Sequence, residues 1–512
     1  MQRHGVTAYL VLCAAVILAL CTHRAATASF THDEAITFLN YPQLSVGKLL
    51  NHESAYTNNH LLNSLAMKGS MALFGTSELA LRLPNLLALV LYLVYTALLI
   101  RRCHPLLIVV GFPLLFTNVY FMEMFTLARG YGLSYGFLAM AIYHASRAIS
   151  RSGSGQLALM HLAGVLATLS NFALLTGYVA VLGAYAVCTM AGAYADRWSW
   201  ERLRPVAQSN GLLLIASFIA LSTPIRRVRE ANPLDFGGKS SFYSDTVTTL
   251  IDGMVPTLSL QGDRLMAAWV ILTLVVAIAL VVVLLGLRRS RASGFLNANA
   301  GLAIATLTLV LIGMGAYAQH LLFGVDHLKS RFALFLLVPL VLSFILLLGL
   351  WARKHPVAPI LIACAACMWA VPPFAKRFGT HHSWEWGYDS QTKEALDALI
   401  ADREHVWRRE GFVQLGIDWL YEPSLNYYRT TRGLDWLCTL DREGLRPDDD
   451  YRYVSEYDTA APIGFVEVAA FPHARTLLLR RASEAPYDSA GALVPAIEDL
   501  HAHEPVSEDQ PE

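Results

Sequence analysis

The stretch SFTHDEAITFLNYP, Ser29–Pro42, follows closely on an apolar run at Val6–Cys21. That run predicts a membrane-spanning helix, for which roughly 20 apolar residues are needed. Two adjacent carboxylates, Asp33 and Glu34, stand just past its end. A charge at the centre of a spanning helix costs about 3 kcal/mol, and this position avoids that cost. It places both side chains near the headgroups, where a lipid head and a water-borne molecule can meet.

The composition indicates that lipid surrounds most of the chain. The 512 residues are 55% hydrophobic and 15% charged, whereas soluble domains carry about 25% charged residues. The net charge is zero, which argues against a nucleic-acid partner. Most of the seven cysteines lie in or beside apolar runs, so no disulfide framework is expected.

Apolar segments along the chain predict eleven membrane spans and therefore a polytopic α-helical membrane protein. They are 6–22, 84–100, 105–122, 131–149, 156–170, 172–192, 206–223, 265–287, 300–320, 332–351 and 357–375. The fifth and sixth form one long run that only Ser170-Asn171 interrupts. No internal repeat is apparent.

Basic clusters beside alternate span ends predict the orientation, because Lys and Arg favour the cytoplasmic side. The clusters are Arg101-Arg102, Arg147 with Arg151, Arg197-Arg202-Arg204, Arg288-Arg289-Arg291 and Arg353-Lys354. They predict a cytoplasmic N-terminus and place everything after about residue 376 outside. Short inner loops suit a bacterial inner membrane. A second interpretation takes 1–28 as a signal peptide, since AATAS resembles a cleavage site.

The outer loops are long and of mixed composition, which predicts a catalytic or binding face on that side. The first large loop is 23–83 and the second is 224–264. Within the first, the pattern around Leu61–Phe74 predicts an amphipathic helix in the plane of the interface. Gly75 is suited to ending it, and Pro84 to opening the second span.

Cations are predicted on the same side as Asp33, where the orientation rule disfavours them. They include Lys68, Arg82, Arg129 and Arg331. An anionic ligand would explain their presence, because Arg binds phosphate through two parallel hydrogen bonds. Each alone has a plainer explanation, which is a side chain that reaches a lipid headgroup. The acidic pair likewise has one, a solvated helix start capped by Thr31 or Asp33.

Four motifs carry a resemblance to a known group of enzymes. They are HDEA at Asp33-Glu34, the stretch NNHLLNSLAMKGSMALFGTSELALRLPNLLA, EMFTLARGYGL around Arg129, and SRFALFLLVPL around Arg331. In this order they resemble the GT-C glycosyltransferases, and within them the family of protein O-mannosyltransferases and lipid A aminoarabinose transferases. The likeness covers roughly residues 5–375.

The resemblance implies transfer of a sugar from a polyprenyl phosphate to a hydroxyl of a lipid, glycan or protein on the extracytoplasmic face. Such a reaction needs a carboxylate base for the acceptor and cations for the leaving phosphate. We assign Asp33 as the general base and Glu34 as its catalytic neighbour, which would orient the sugar or help to hold a cation. Adjacent carboxylates raise each other's pKa, which would move the pKa of the base toward neutral pH. The residues predicted to bind substrate are Lys68, Arg129 and Arg331, with Arg82, His60 and Glu123 as secondary candidates. A structural role is the alternative for Arg82, and a satisfied polar group at the interface is the preferred interpretation of His60 and Glu123.

No metal-ligand cluster stands out in the sequence. His381-His382 with Glu385 resembles a metal corner, but a linker turn is the preferred interpretation. The family's use of a metal is not uniform, so a divalent metal stays open.

Residues 376–485 have soluble character and predict a small extracytoplasmic α/β domain. DSQTKEALDALIAD predicts a helix, and YRYVSEYD, GFVEVAAF and RTLLLRR predict strands. The tail 486–512 is polar and acidic, which predicts disorder.

Two alternatives belong to other functional classes. A transporter or lipid flippase would carry charges within several spans and often repeated halves, and neither is visible. A non-catalytic assembly or receptor protein would use the outer domain as its working part. Loss of activity in Asp33→Asn would separate the enzyme from both.

Overall fold

The structure, a computed structural model, describes the following residues: 3–51, 59–150, 154–197, 200–231, 237–254, 262–288, 291–379, 383–408, 410–455 and 464–482. By its contacts the chain divides into two units, residues 1–390 and 391–512. The sequence boundary at 375/376 lies earlier, because residues 383–390 make their contacts with the first unit. The tail 486–512, predicted to be disordered, lies outside the described residues.

The first unit is helical. Its α-helices are α1 (Arg3–Thr27), α2 (His32–Asn40), α3 (Val46–Leu50), α4 (Leu61–Phe74), α5 (Glu78–Ile100), α6 (Pro105–Leu114), α7 (Val119–Glu123), α8 (Gly130–Ser150), α9 (Ser154–Ser170), α10 (Leu174–Ala195), α11 (Trp200–Ala231), α12 (Thr248–Asp252), α13 (Asp263–Gly286), α14 (Ala292–Phe323), α15 (Leu337–Ala352) and α16 (Val357–Arg377). A π-helical turn, Phe242–Val247, precedes α12, and two 3-10 turns, Ser330–Phe332 and Leu334–Leu336, precede α15.

Within the described residues, eight helices are long and apolar enough to cross a membrane, and two shorter apolar helices accompany them. The chain is therefore an integral, multi-pass membrane protein. The predicted spans coincide with helices, with two exceptions: the span at 332–351 starts in the two 3-10 turns before α15, and the span at 105–122 is broken into α6 and α7. The break has a local cause, because the Asn118 side chain accepts the Phe121 N–H at 2.8 Å and so caps a new helix. The count of eleven spans stays a prediction.

Helix α4 forms where the amphipathic helix is predicted, and it ends at Gly75, whose φ is +83°. Its small and polar residues, including Asn63 and Ser64, are buried in the protein. Leu73 and Phe74, in its last turn, are 77% and 61% exposed. The buried face also contains the apolar residues Leu61 and Met67, so the position of the helix in the plane of the interface stays a prediction.

Helix α5 begins before the predicted position, so the prediction that Pro84 opens it is wrong. Ser77 is the N-cap and its side chain accepts the Ala80 N–H, which places Pro84 inside the helix. A proline there cannot donate to the carbonyl of Ala80, four residues earlier. The hydroxyl of Ser70 in α4 donates to that carbonyl instead. This contact accounts for a proline in the helix and ties α4 to α5.

The second unit is a small α/β domain. Its elements are α17 (Thr392–Ala401), β1 (Leu415–Ile417), α18 (Glu422–Thr431), β2 (Tyr451–Ser455), β3 (Phe465–Phe471) and β4 (Thr476–Arg481). The sheet order is β1-β2-β4-β3, with β1 parallel to β2 and the other pairs antiparallel. The predicted helix and the three predicted strands are present at α17, β2, β3 and β4. Strand β1 is too short to produce an alternating pattern.

Candidate active site

Asp33 is the centre of the candidate site. It lies in the first turn of α2 and is 8% exposed. Its Oδ2 lies 3.3 Å from Nη2 of Arg129 and 3.3 Å from Nη2 of Arg331. In the part of the chain that the structure describes, this oxygen accepts no hydrogen bond of good geometry. A single carboxylate oxygen is therefore shared by two guanidinium groups from distant parts of the chain.

Glu34, the next residue, has a different environment. Its Oε1 and Oε2 accept hydrogen bonds from Nε and Nη2 of Arg82 at 2.8 and 2.7 Å. Oε2 also accepts from the Thr31 backbone N–H at 3.0 Å, and Oε1 from the Ala128 N–H at 2.5 Å. Successive helix residues point about 100° apart, which lets the two carboxylates face different partners. Glu34 is fully buried, and both its oxygens are occupied.

Arg82 also has every N–H occupied. Besides its two bonds to Glu34, it donates from Nη1 to the carbonyls of Ala25 and Ala28 and from Nη2 to that of Ser29. A guanidinium has five N–H groups, and these contacts use all of them. No N–H group remains free to bind a phosphate. We therefore assign Arg82 a structural role, the alternative that the sequence leaves open for it, and we assign Glu34 a structural role in place of the predicted contact with the sugar or a cation.

Arg129 is held in place by the chain on both sides of it. Its Nη1 donates to the Thr37 hydroxyl at 2.8 Å and to the Asp33 carbonyl at 3.2 Å. The preceding residue, Ala128, donates to Glu34 and accepts from the Asn63 side chain at 2.9 Å. Gly130 follows in close contact with the Ser170 carbonyl, where a Cβ would come within 1.8 Å. These contacts fix the direction in which the Arg129 side chain leaves the backbone.

Arg331 is presented by a strained turn, in which Ser330 has a φ of +56°. A left-handed backbone is unfavourable for a residue with a Cβ. Glu385 stabilises the turn, because its carboxylate accepts hydrogen bonds from the Ser330 hydroxyl and from the Arg331 backbone and guanidinium. Tyr120 donates to the same carboxylate. The Arg331 guanidinium therefore lies between Glu385 and Asp33.

Glu385 is the residue of this site that the sequence analysis does not select. Its only signal is the acidic side chain beside two histidines, His381 and His382, and these two lie outside the described residues. Its contacts with Ser330, Arg331 and Tyr120 single it out in the structure, and so does its pKa. Burial, reinforced by the charge of Asp33, raises the pKa of Glu385 to about 8 and outweighs the lowering effect of the Arg331 N–H.

The pKa of Asp33 shifts in the opposite direction. Burial on its own would raise it, but the positive charges of Arg129 and Arg331 outweigh burial, so the pKa lies below its ordinary value. The expected net rise in the pKa of Asp33 therefore does not occur, because the two guanidinium groups dominate its surroundings. The two carboxylates that flank Arg331 thus differ: Asp33 is ionised at neutral pH, and Glu385 titrates close to it.

Glu123, predicted to bind substrate, instead joins parts of the first unit. Its Oε1 accepts from Nη2 of Arg24 at 2.9 Å and from the Ser383 hydroxyl at 2.5 Å, and Oε2 accepts from the Trp384 N–H at 3.0 Å. The residue is 1% exposed. These bonds hold the end of α1 and the segment before Glu385, so we assign Glu123 a structural role.

Neither His60 nor Lys68 forms an ion pair with Asp33 in the described part of the chain. His60 is the N-cap of α4 and packs edge-on against Tyr131 at 4.9 Å between ring centroids. Burial, aided by the charges of Arg129 and Arg331, lowers its pKa well below the ordinary value, so it is neutral. Lys68 donates to the Pro42 carbonyl at 2.8 Å.

An apolar cavity of about 580 Å³ lies among α12, α13, α15 and α16. Its lining is largely aliphatic and aromatic and includes Ile271, Phe344 and Trp369, with Arg264 as a charged member. Thr117 also lines it, shortly before Tyr120, which binds Glu385. Among the described residues, no group of three or more His, Cys, Asp or Glu side chains is arranged to hold a metal.

Comparisons with known proteins give similarities of fold. No family model and no curated protein sequence matches the chain. The solved structures that are similar include two of ArnT from Cupriavidus metallidurans, each at 13% identity. The apo structure aligns over 93% of this chain and 98% of that one with a TM-score of 0.45. The structure bound to undecaprenyl phosphate aligns over 92% and 98% with a TM-score of 0.43.

Similarity at this level leaves the function of the chain to be inferred from the site itself.

The assignment of Glu34 and Arg82 to structure gives a testable prediction. Glu34→Ala or Arg82→Ala leaves a buried charge without its partner, which costs about 3–5 kcal/mol. We expect a marked fall in the thermal unfolding midpoint of the detergent-purified protein. Asp33→Asn, one residue away, should shift that midpoint far less. If Glu34→Ala unfolds at the wild-type temperature, the structural assignment fails.

Proposed function

We propose that the protein is a membrane glycosyltransferase that moves a sugar from a polyprenyl-phosphate donor to a hydroxyl acceptor. The observation that carries the proposal is the arrangement of Asp33 between Arg129 and Arg331. It combines a candidate base and a candidate phosphate site within one buried cluster. The acceptor is expected on the extracytoplasmic side, as the basic clusters at the other span ends predict.

The cations serve the leaving group. When the bond between the sugar and the phosphate oxygen breaks, negative charge develops on the phosphate. Guanidinium groups placed there stabilise the transition state more than the ground state, which is what accelerates a reaction. Arg331 is suited to this role because Glu385, together with ring contacts to Phe332 and Trp386 at 5.4 and 5.2 Å, fixes its position.

Asp33 serves the acceptor, whose hydroxyl loses its proton as it attacks the sugar. A carboxylate with a lowered pKa is a weak base while both guanidinium groups are bound to it. A donor phosphate that takes over Arg129 and Arg331 would neutralise their charge, and burial would then dominate. The pKa of Asp33 would rise, so the base would gain strength only when the donor is in place.

The donor's lipid tail requires an apolar binding surface of its own. The cavity lined by Ile271, Phe344 and Trp369 has the size and the character for part of a prenyl chain. Its lining continues to Thr117 at the start of the segment that carries Tyr120. A tail in this cavity would keep the phosphate end near Arg331.

Asp33→Asn tests the role of the base. We expect the rate of transfer to fall by about 100- to 10,000-fold, the usual range for loss of a general base. Donor binding should be kept or tightened, because one negative charge beside the phosphate site is removed. The measurement is release of polyprenyl phosphate from a panel of polyprenyl-phosphate hexoses and pentoses, with a cell-envelope extract as acceptor.

Asp263→Asn is the matched control, since Asp263 is an exposed acid in the first turn of α13. It should transfer at the wild-type rate. Normal transfer by folded Asp33→Asn would contradict the proposal.

Glu385→Gln tests the competition for Arg331. Because the pKa of Glu385 is raised to about 8, its carboxyl is mostly neutral at pH 7 and ionised at pH 9. The ionised form holds Arg331 more strongly, so wild-type affinity for undecaprenyl phosphate should fall by about tenfold over this interval relative to Glu385→Gln. Ionisation of the ligand affects wild type and Glu385→Gln equally, so it does not change the ratio of their affinities. Binding is measured by thermophoresis at each pH.

The exposed residue Glu443, 76% accessible in its side chain, provides the control. Glu443→Gln should follow the wild-type pH dependence. Parallel curves for wild type and Glu385→Gln would show that Glu385 does not compete with the phosphate.

A further inference from the structure

A basic cavity lies at the opposite ends of the helices that carry the candidate active site. Arg129 and Arg331 stand before α8 and α15, whereas the cavity lies where α5, α8 and α15 end. Helix α8 has 21 residues, which places the two sites about 30 Å apart at roughly 1.5 Å per residue. The cavity therefore does not belong to the candidate active site.

Four arginines line this cavity, which has a volume of about 60 Å³. They are Arg101 and Arg102 after α5, Arg147 in the last turn of α8, and Arg353 after α15. None of the four forms an ion pair within the described part of the chain. Like charges gathered in one concavity repel each other, and a bound anion would relieve that repulsion.

The ends of the helices compensate only part of this charge. A helix C-terminus acts as roughly half a negative charge, and three of them, from α5, α8 and α15, meet here. They supply about 1.5 negative charges against four positive ones. An excess of about 2.5 positive charges remains, which is more than helix capping explains.

The backbone of α14 also opens at this point. Asn299 has φ and ψ of −137° and 24°, outside the helical region, and it lines the cavity. The guanidinium of Arg353 donates to the neighbouring carbonyl of Ala298 at 3.3 Å. The kink makes a concave surface instead of a continuous helix face, and it holds one arginine at the rim.

We infer that this cavity is a binding site for a phosphate group, most simply the headgroup of an anionic phospholipid. Arg binds phosphate oxygens through paired N–H groups. Basic pockets between membrane helices at the cytoplasmic interface suit anionic headgroups, and the sequence predicts this end to be cytoplasmic. The inference does not depend on the proposed transferase activity.

The test uses the full chain in detergent and native mass spectrometry, with phosphatidylglycerol and phosphatidylcholine as probes. Wild type should retain phosphatidylglycerol preferentially. The double variant Arg147→Gln/Arg353→Gln should bind it about 25-fold more weakly, since each cation near the bilayer surface contributes about a fivefold factor. A second double variant, Arg101→Gln/Arg102→Gln, changes two exposed positions. It should show the same loss of phosphatidylglycerol binding, and it replaces the first double variant if that one does not fold.

Lys354→Gln is the matched control, because Lys354 is the exposed neighbour of Arg353 and does not line the cavity. It should bind like wild type. Inorganic phosphate is then titrated against bound phosphatidylglycerol: displacement identifies a free-phosphate site, and no displacement identifies a headgroup site. Equal retention of the two lipids, or an equal loss in Lys354→Gln, would overturn the inference.

Discussion

The fold around the site depends on the buried ion pair between Glu34 and Arg82. Burying an isolated charge costs several kcal/mol, and a buried pair is tolerated only when the remaining donors and acceptors are also satisfied. Here each N–H of Arg82 has an acceptor and both oxygens of Glu34 are bound. The pair thereby joins the end of α1, the start of α2, α5 and the segment before α8. It fixes the turn of α2 from which Asp33 projects.

The neighbouring cluster differs because it is incompletely satisfied. Asp33 Oδ2 has two cations at 3.3 Å but, among the described residues, no hydrogen bond of good geometry. The Nε of Arg331 is buried and likewise has no acceptor there. Polar atoms left in this state in a buried site call for an explanation, and a ligand with several acceptor oxygens provides one. The rigid Glu34–Arg82 pair thus supports the adaptable cluster of Asp33 with its two arginines. The two carboxylates belong to consecutive residues.

Much of this could be predicted from the sequence, because long apolar runs and their basic flanks follow directly from the properties of the bilayer. The ending of α4 at Gly75 and the strands of the second unit follow from local patterns. The different roles of Asp33 and Glu34 could not be predicted, since they depend on which distant arginine each one meets. Pro84 within α5 depends on a hydroxyl from α4. Glu385 enters the site only through the path of the chain after α16.

The central claim is that a donor phosphate displaces Asp33 from its two arginines. The most direct measurement is an experimental structure of the protein with undecaprenyl phosphate bound. The account predicts phosphate oxygens within hydrogen-bond distance of Arg129 and Arg331, with the Asp33 carboxylate released from both and facing the site. A phosphate bound elsewhere, with both contacts of Asp33 Oδ2 intact, would contradict it.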